Sequence, residues 1–180
     1  MNRDKTASMI YTALTTAILA LLAQISIPLP NGVPLTAQVV AVAFGGYLLG
    51  AKKGALAVGI YIALGMVGAP VFSGFSGGFQ RIIAPTGGFI WGFLPLSILC
   101  GIGITKKWSR YEKLYAVTFG ILGLALCHLC GIIQFSAIMQ CSPISALIVA
   151  SLPYLPKDVL CVIAAYAAAH TVKKRIVILR

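Results

Sequence analysis

Three carboxylates, Asp4, Glu112 and Asp158, are the whole acidic complement of this 180-residue chain, against 14 lysines and arginines. Asp4 lies in the N-terminal tail, and Glu112 sits among basic neighbours that offset it. Asp158 differs: it follows Lys157 and opens an uncharged, mainly apolar run over 159–172. A third isolated charge, Arg81, ends the Gly/Phe/Ser-rich segment 69–81. An ionised carboxylate only accepts hydrogen bonds. A carboxylate and a cation at one mouth therefore suit a ligand with a neutral, hydrogen-bond-donating end and an anionic end. In 71–81, Gly74, Gly77 and Gly78 let the backbone turn tightly and approach a ligand, while Phe72, Phe75 and Phe79 supply apolar faces. The segment reads as the lid of a small pocket. A plainer reading stands beside it: Asp158 favours the positive end of a helix dipole, Lys157 snorkels, and Arg81 holds its loop to a phosphate headgroup.

Other chemistries find little support. Cys127-His128-Leu129-Cys130 is a C-x-x-C, but no second ligand cluster accompanies it, and small packing residues of a Leu/Gly-rich helix are the better reading. An odd count of five cysteines in apolar sequence is no disulfide framework. Neither a P-loop nor an H-E-x-x-H occurs. His128 and His170 lie in apolar stretches, and Asp158 is expected at a different depth from both, so no Ser-His-Asp set is expected. No catalytic activity, metal or bound cofactor is expected, and energy for any active transport has to come from elsewhere.

The elements that position these residues follow from where the charges are not. The segments 6–51, 54–80, 82–105, 114–156 and 159–172 carry none, only 9% of the chain is charged, and 59% is apolar. A spanning helix needs about 20 mainly apolar residues. A soluble enzyme and a separate extramembrane domain are thereby excluded. Six spans are expected, at about 8–27, 35–49, 55–68, 85–104, 114–135 and 156–172, in a single membrane domain over 1–180. Pro28, Pro30, Asn31, Gly32 and Pro34 make the first turn, and 50–54 the second. A short surface or re-entrant helix is expected near 145–151. Pro156 is a favourable first-turn proline for the sixth span. Arg3 and Lys5 resemble the basic start of a signal peptide, but the apolar run over 7–27 is long and no small-x-small site follows, so a retained helix is expected.

The basic residues are scattered in pairs between spans, a pattern of topology rather than of nucleic-acid binding. With six spans, Arg3, Lys5, Lys52, Lys53, Lys106, Lys107, Arg110, Lys113, Lys173, Lys174, Arg175 and Arg180 share one side, and Arg81 and Lys157 the other. The positive-inside rule makes the first side cytoplasmic and places both termini there. The pocket then opens to the outside. In the first span, Ala13 and Ala17 form a small-x-x-x-small pair, continued by Ala20, which suits close helix approach either to a partner or within the bundle.

Taken together these stretches resemble the BioY family, the biotin-specific substrate-binding (S) components of energy-coupling-factor transporters. The similarity rests on 34–38 (PLTAQ), 48–54 (LLGAKKG), 68–78 (GAPVFSGFSGG), 85–93 (PTGGFIWGF) and 155–158 (LPKD), and covers nearly the whole chain. The resemblance implies an all-α, six-helix S-component fold in a prokaryotic plasma membrane. It implies a biotin site under the loop between spans three and four, and docking to a transmembrane coupling subunit and two ATPases that use the ATP. It further implies that Ala13 and Ala17 meet the coupling subunit. The substrate-binding candidates are Asp158, Arg81, Lys157, Gln38, Phe72, Phe75, Ser76, Gly77, Gly78 and Gln80. The family often carries a lysine three residues after its aspartate; this chain has Cys161, so Arg81 or Lys157 is expected to meet the biotin carboxylate and Asp158 the ureido N–H groups. An S component for another vitamin, or an intramembrane enzyme using Cys127, His128 or Cys130, are the alternatives.

Overall fold

With little water inside a bilayer, an apolar chain has to satisfy its backbone internally, and helices do so. The computed structural model describes residues 3–30, 32–105 and 111–178. Among them are eight helices: α1 (Arg3–Gln24), α2 (Gln38–Leu49), α3 (Ala51–Met66), α4 (Phe79–Ile82), α5 (Gly87–Thr105), α6 (Glu112–Met139), α7 (Pro143–Ala150) and α8 (Leu155–Ile178). Asn31, Lys106, Lys107, Arg110 and Arg180 lie outside the described residues.

Several expected boundaries move. The first helix stops at Gln24, and Ser26–Ile27 (β1) pairs antiparallel with Leu35–Thr36 (β2), Ser26 opposite Thr36. The prolines between the strands cannot donate helical hydrogen bonds, so 28–30 and 32–34 form a strap rather than helix. Thr36 consequently belongs to β2, not to a span. The turn expected at 50–54 contracts to Gly50, whose φ of 81° breaks the helix, so Lys52 and Lys53 sit in the first turn of α3. The α7 segment takes the short helix expected near 145–151, with Ser142 as its N-cap.

Among the described residues, four helices are long and apolar enough to cross a membrane: Lys5–Gln24, Gly87–Ile104, Glu112–Met139 and Leu155–Arg175. At 1.5 Å per residue, the 12 residues of α2 and the 16 of α3 reach about 18 and 24 Å, short of a hydrocarbon core of about 30 Å.

The most extensive helix packing is between α5 and α6. A Cβ on Gly92 would fall 2.6 Å from Cys127 Cα, and one on Gly123 3.0 Å from Leu96 Cα, so the two backbones meet where side chains are absent. Tyr47, Tyr61, Leu96, Leu124 and Val162 fill the centre. Tyr47 at the end of α2 donates to Ala116 O near the start of α6 (3.0 Å), and its ring meets Tyr166 of α8 edge-on at 5.5 Å. These contacts gather the C-terminal end of α2 and the middle of α8 with the start of α6. The opposite end holds the strap, the 67–78 loop, the end of α6 and the start of α8.

The first helix has two faces. Thr12, Thr15 and Thr16 are buried, and Thr16 Oγ1 donates to Ala57 O of α3 at 3.0 Å. Ala13, Leu14, Ala17 and Leu21 are exposed, so the alanine pair does not pack inside this bundle. Leu122, Leu126, Leu129 and Ile133 make a comparable apolar outer row on α6, as expected of a surface solvated by lipid.

Candidate functional site

A cavity of about 910 Å³, its mouth included, lies at the strap end between α2, α5, α6 and α8. Two loops form its rim. The strap supplies Gly32, Val33 and Pro34; the 67–78 loop supplies Phe72, Ser73 and Ser76. Each loop is tied to a helix. Tyr154 Oη donates to Val33 O (2.6 Å) and Lys157 Nζ to Thr36 O (2.6 Å), fastening the strap to the start of α8. Gln24 at the end of α1 accepts from Phe75 N at 2.7 Å and donates to Val71 O at 3.3 Å, fastening the other loop to α1. Within that loop Phe72 and Ser76 exchange backbone hydrogen bonds, and Ser76 Oγ donates to Ser73 O.

The cavity is polar at its floor and apolar along its walls. Asp158, in the first turn of α8, is 5% exposed. Its Oδ1 lies 2.6 Å from Lys157 Nζ but has no aligned hydrogen bond among the described residues. Its Oδ2 lies 3.4 Å from His128 Nε2 on α6. Burial of an incompletely hydrogen-bonded carboxylate is costly, so an oxygen in this state is a ready acceptor. Gln38 donates to Tyr61 Oη at 2.7 Å, and the Tyr61 ring meets Phe72 edge-on at 5.4 Å, which fixes one wall. Phe89, Ile90 and Phe93 of α5 make another. Arg81, in α4, lines the mouth; its side chain is exposed and has no hydrogen-bond or ion-pair partner among the described residues.

Of the residues singled out from sequence, Asp158, Lys157, Arg81, Gln38, Phe72 and Ser76 come together around this cavity. Phe75, Gly77, Gly78 and Gln80 do not line it; Phe75 is 72% exposed and points away. Cys161 is outside the lining too.

One expectation is overturned. His128 and Asp158 are not at different depths but adjacent, and Ser151 Oγ lies 2.7 Å from His128 Nδ1. The reason is the fold-back of α7. The α6 helix runs on to Met139, α7 packs back against it through Ala146 and Ala150, and α8 therefore starts beside His128, about three turns before the end of α6. His128, Tyr154, Phe89 and Val33 were missed as lining residues. The signal available for His128 was its type: an ionisable side chain inside an apolar helix is a functional candidate by default.

This constellation binds rather than transforms. The carboxylate is paired with an amine and lies beside an imidazole, the walls are aromatic and aliphatic, and a cation without a partner among the described residues stands at the entrance. Comparisons with known proteins agree. The BioY family model matches residues 1–177. The chain is 40% identical over 124 residues to the biotin transporter BioY of Thermotoga maritima, covering 69% of this chain and 71% of that one. It is 32% identical to the biotin transporter BioY of Rhodobacter capsulatus over 96% of this chain and 94% of the relative. Its fold superposes on the crystal structure of the S-component for biotin from an ECF-type ABC transporter, with a TM-score of 0.84 at 27% identity, over 97% of this chain and 94% of the other. The chain belongs to the BioY family.

Proposed function

We propose that this chain is the biotin-capturing S component of an energy-coupling-factor importer. It is a single membrane domain whose α1, α2, α3, α5, α6 and α8 all cross the plasma membrane, with both termini cytoplasmic. The observation that carries the reading is the buried Asp158 Oδ1, lacking an aligned hydrogen bond at the floor of an apolar cavity whose mouth holds the unpaired Arg81. Biotin has matching ends. Its ureido N–H groups donate to Asp158, its ring system and chain lie against Phe72 and Phe89, and its carboxylate reaches Arg81. Lys157, already engaged with Asp158 and Thr36 O, is the weaker partner for that carboxylate. Gln38 and Ser76 shape the walls, and Phe75, Gly77, Gly78 and Gln80 set the lid's path. Ala13 and Ala17, exposed on α1, are the docking face for a transmembrane coupling subunit, which works with two ATPases that supply the energy. The chain itself is not an enzyme and holds no cofactor.

The shortness of α2 and α3 is compatible with six crossings, because helices inside a bundle need not each match the full hydrocarbon thickness when flanking residues and local thinning accommodate the difference. Calorimetric titration of the detergent-purified chain with biotin, thiamin and riboflavin tests the assignment. Saturable one-site binding of biotin alone is expected; binding of either other vitamin in its place refutes it.

A further inference from the structure

His128 stands at the centre of the site floor, and three groups surround its ring. Ser151 Oγ is 2.7 Å from Nδ1, Asp158 Oδ2 is 3.4 Å from Nε2, and Phe89 meets the ring edge-on at 5.7 Å. Ser151 is fully buried, and His128 and Asp158 are each 5% exposed. A Ser-His-Asp order invites a nucleophile and its base. Access rules that out here: His128 and Asp158 line the cavity, but Ser151 does not. A nucleophile has to reach its substrate, and this hydroxyl lies behind the ring.

The donor inventory fixes the direction of each bond. The carboxylate beside Lys157 only accepts, so the nitrogen facing it, Nε2, carries the hydrogen. In a neutral ring the other nitrogen is then an acceptor, and the Ser151 hydroxyl donates to Nδ1. Asp158 and Lys157 of α8 offset one another; Tyr154 and Cys127 line the floor as neutral groups; Arg81 of α4 lies out at the exposed mouth.

We infer that His128 is a positioning residue for ligand recognition: held as the Nε2–H tautomer by Ser151, it anchors Asp158 Oδ2 and turns Oδ1 toward the ligand. The carboxylate thereby offers one directed oxygen to a neutral N–H donor such as a cyclic urea. The 3.4 Å separation is longer than a formed N–H···O bond, and such contacts tighten when a site fills. The inference rests on the reading of Asp158 as the ureido acceptor, and its test has a part that needs no ligand. In ¹⁵N-histidine-labelled protein carrying H170Q, the His128 ring nitrogens should report a neutral Nε2–H tautomer at neutral pH, and S151A should shift the ring toward a tautomer mixture. An Nδ1–H tautomer or an imidazolium overturns the inference whether or not biotin binds; failure of the wild type to bind biotin overturns the proposed function instead. In the binding part, H128L should weaken biotin by roughly tenfold to a hundredfold, the range for losing a hydrogen bond to a charged group. H128Q, which keeps an N–H donor and guards against a folding defect in H128L, should recover part of that loss. In a D158N background, H128L should have little further effect. Fully additive losses mean that His128 does not act through Asp158, and overturn the inference.

Discussion

Replacing Asp158 by Asn changes the site with little change in shape. The substitution swaps an acceptor oxygen for an amide donor and removes the negative charge. Two effects separate. The first is on stability: Lys157 loses its counter-charge, which for a fully buried pair costs about 3–5 kcal/mol. The Lys157 side chain is 28% exposed and keeps its bond to Thr36 O. The loss is therefore discounted toward about 1–2 kcal/mol, between the surface and buried limits. The second is on binding. A hydrogen bond to a charged acceptor contributes about 1.5–3 kcal/mol, so the biotin Kd should rise roughly 10- to 150-fold. Titration calorimetry reads the second effect and thermal unfolding of the same detergent-purified sample reads the first. An unchanged Kd in a folded Asp158→Asn protein would refute the ureido-acceptor argument and leave the residue a partner for the α8 dipole. A lowered unfolding midpoint with unchanged affinity would say the same more sharply, because it would locate the whole value of the carboxylate in its pairing with Lys157.

Four further outcomes are expected. Arg81→Ala should weaken biotin more than biotin amide, since only the acid presents a charge to the guanidinium; equal losses in parallel titrations would reduce Arg81 to a loop-shaping role. Gln24→Ala removes two ties to the 67–78 loop, so the biotin dissociation rate in a displacement experiment should rise roughly 5- to 30-fold, as for about 1–2 kcal/mol of net hydrogen bonding; an unchanged rate would mean that the loop holds without α1. Ala13→Trp with Ala17→Trp should leave biotin binding by the isolated chain intact and abolish co-purification with a coupling subunit, because both positions are exposed; retained co-purification and uptake would remove the docking assignment. In a background without the five native cysteines, a cysteine at exposed Val67 should react with an impermeant thiol reagent from outside and one at exposed Lys53 should not, since they mark opposite ends of α3; reversed labelling would refute the six-crossing topology.

What the sequence revealed depended on how local the governing physics is. Long uncharged runs made α1, α5, α6 and α8 legible, because bilayer solvation acts on composition alone. The β1–β2 pair was not, since pairing Ser26 with Thr36 depends on where the strap's prolines force the chain to turn back. Lys52 and Lys53 looked like a turn because they are charged, yet a helix end at a membrane surface tolerates both. In the site, Asp158, Lys157 and Arg81 stood out as isolated charges, and Phe72 and Ser76 came with the glycine-rich loop. Phe75 of the same loop, with a φ of 53°, is exposed and outside the cavity lining, a placement the loop's composition does not indicate. His128 escaped because its role is made by tertiary structure: only the fold-back of α7 brings residues 128, 151 and 158 to one depth.

The two rims of the cavity hang on different helices, and this bears on how a ligand enters. Tyr154 and Lys157 hold the strap to α8 with two bonds, both at 2.6 Å, and the β pair adds to them. The 67–78 loop is held to α1 by Gln24, through one good bond and one long one. Against those two, worth about 1 kcal/mol each, stands the left-handed backbone of Phe75, which costs about 1–2 kcal/mol for a bulky residue. Gln24 therefore adds little net hold of its own, and the loop's other ties run to α3: Gly78 N donates to Gly65 O at 2.7 Å, and the buried Phe72 ring packs against Gly65. The balance then passes to the inner residues of the loop: Phe72 and Ser76 face the cavity, so a ligand that touches them favours the closed rim by its own contacts. The loop thus links the cavity to α1 through Gln24, and α1 is the helix whose outer face presents Ala13 and Ala17.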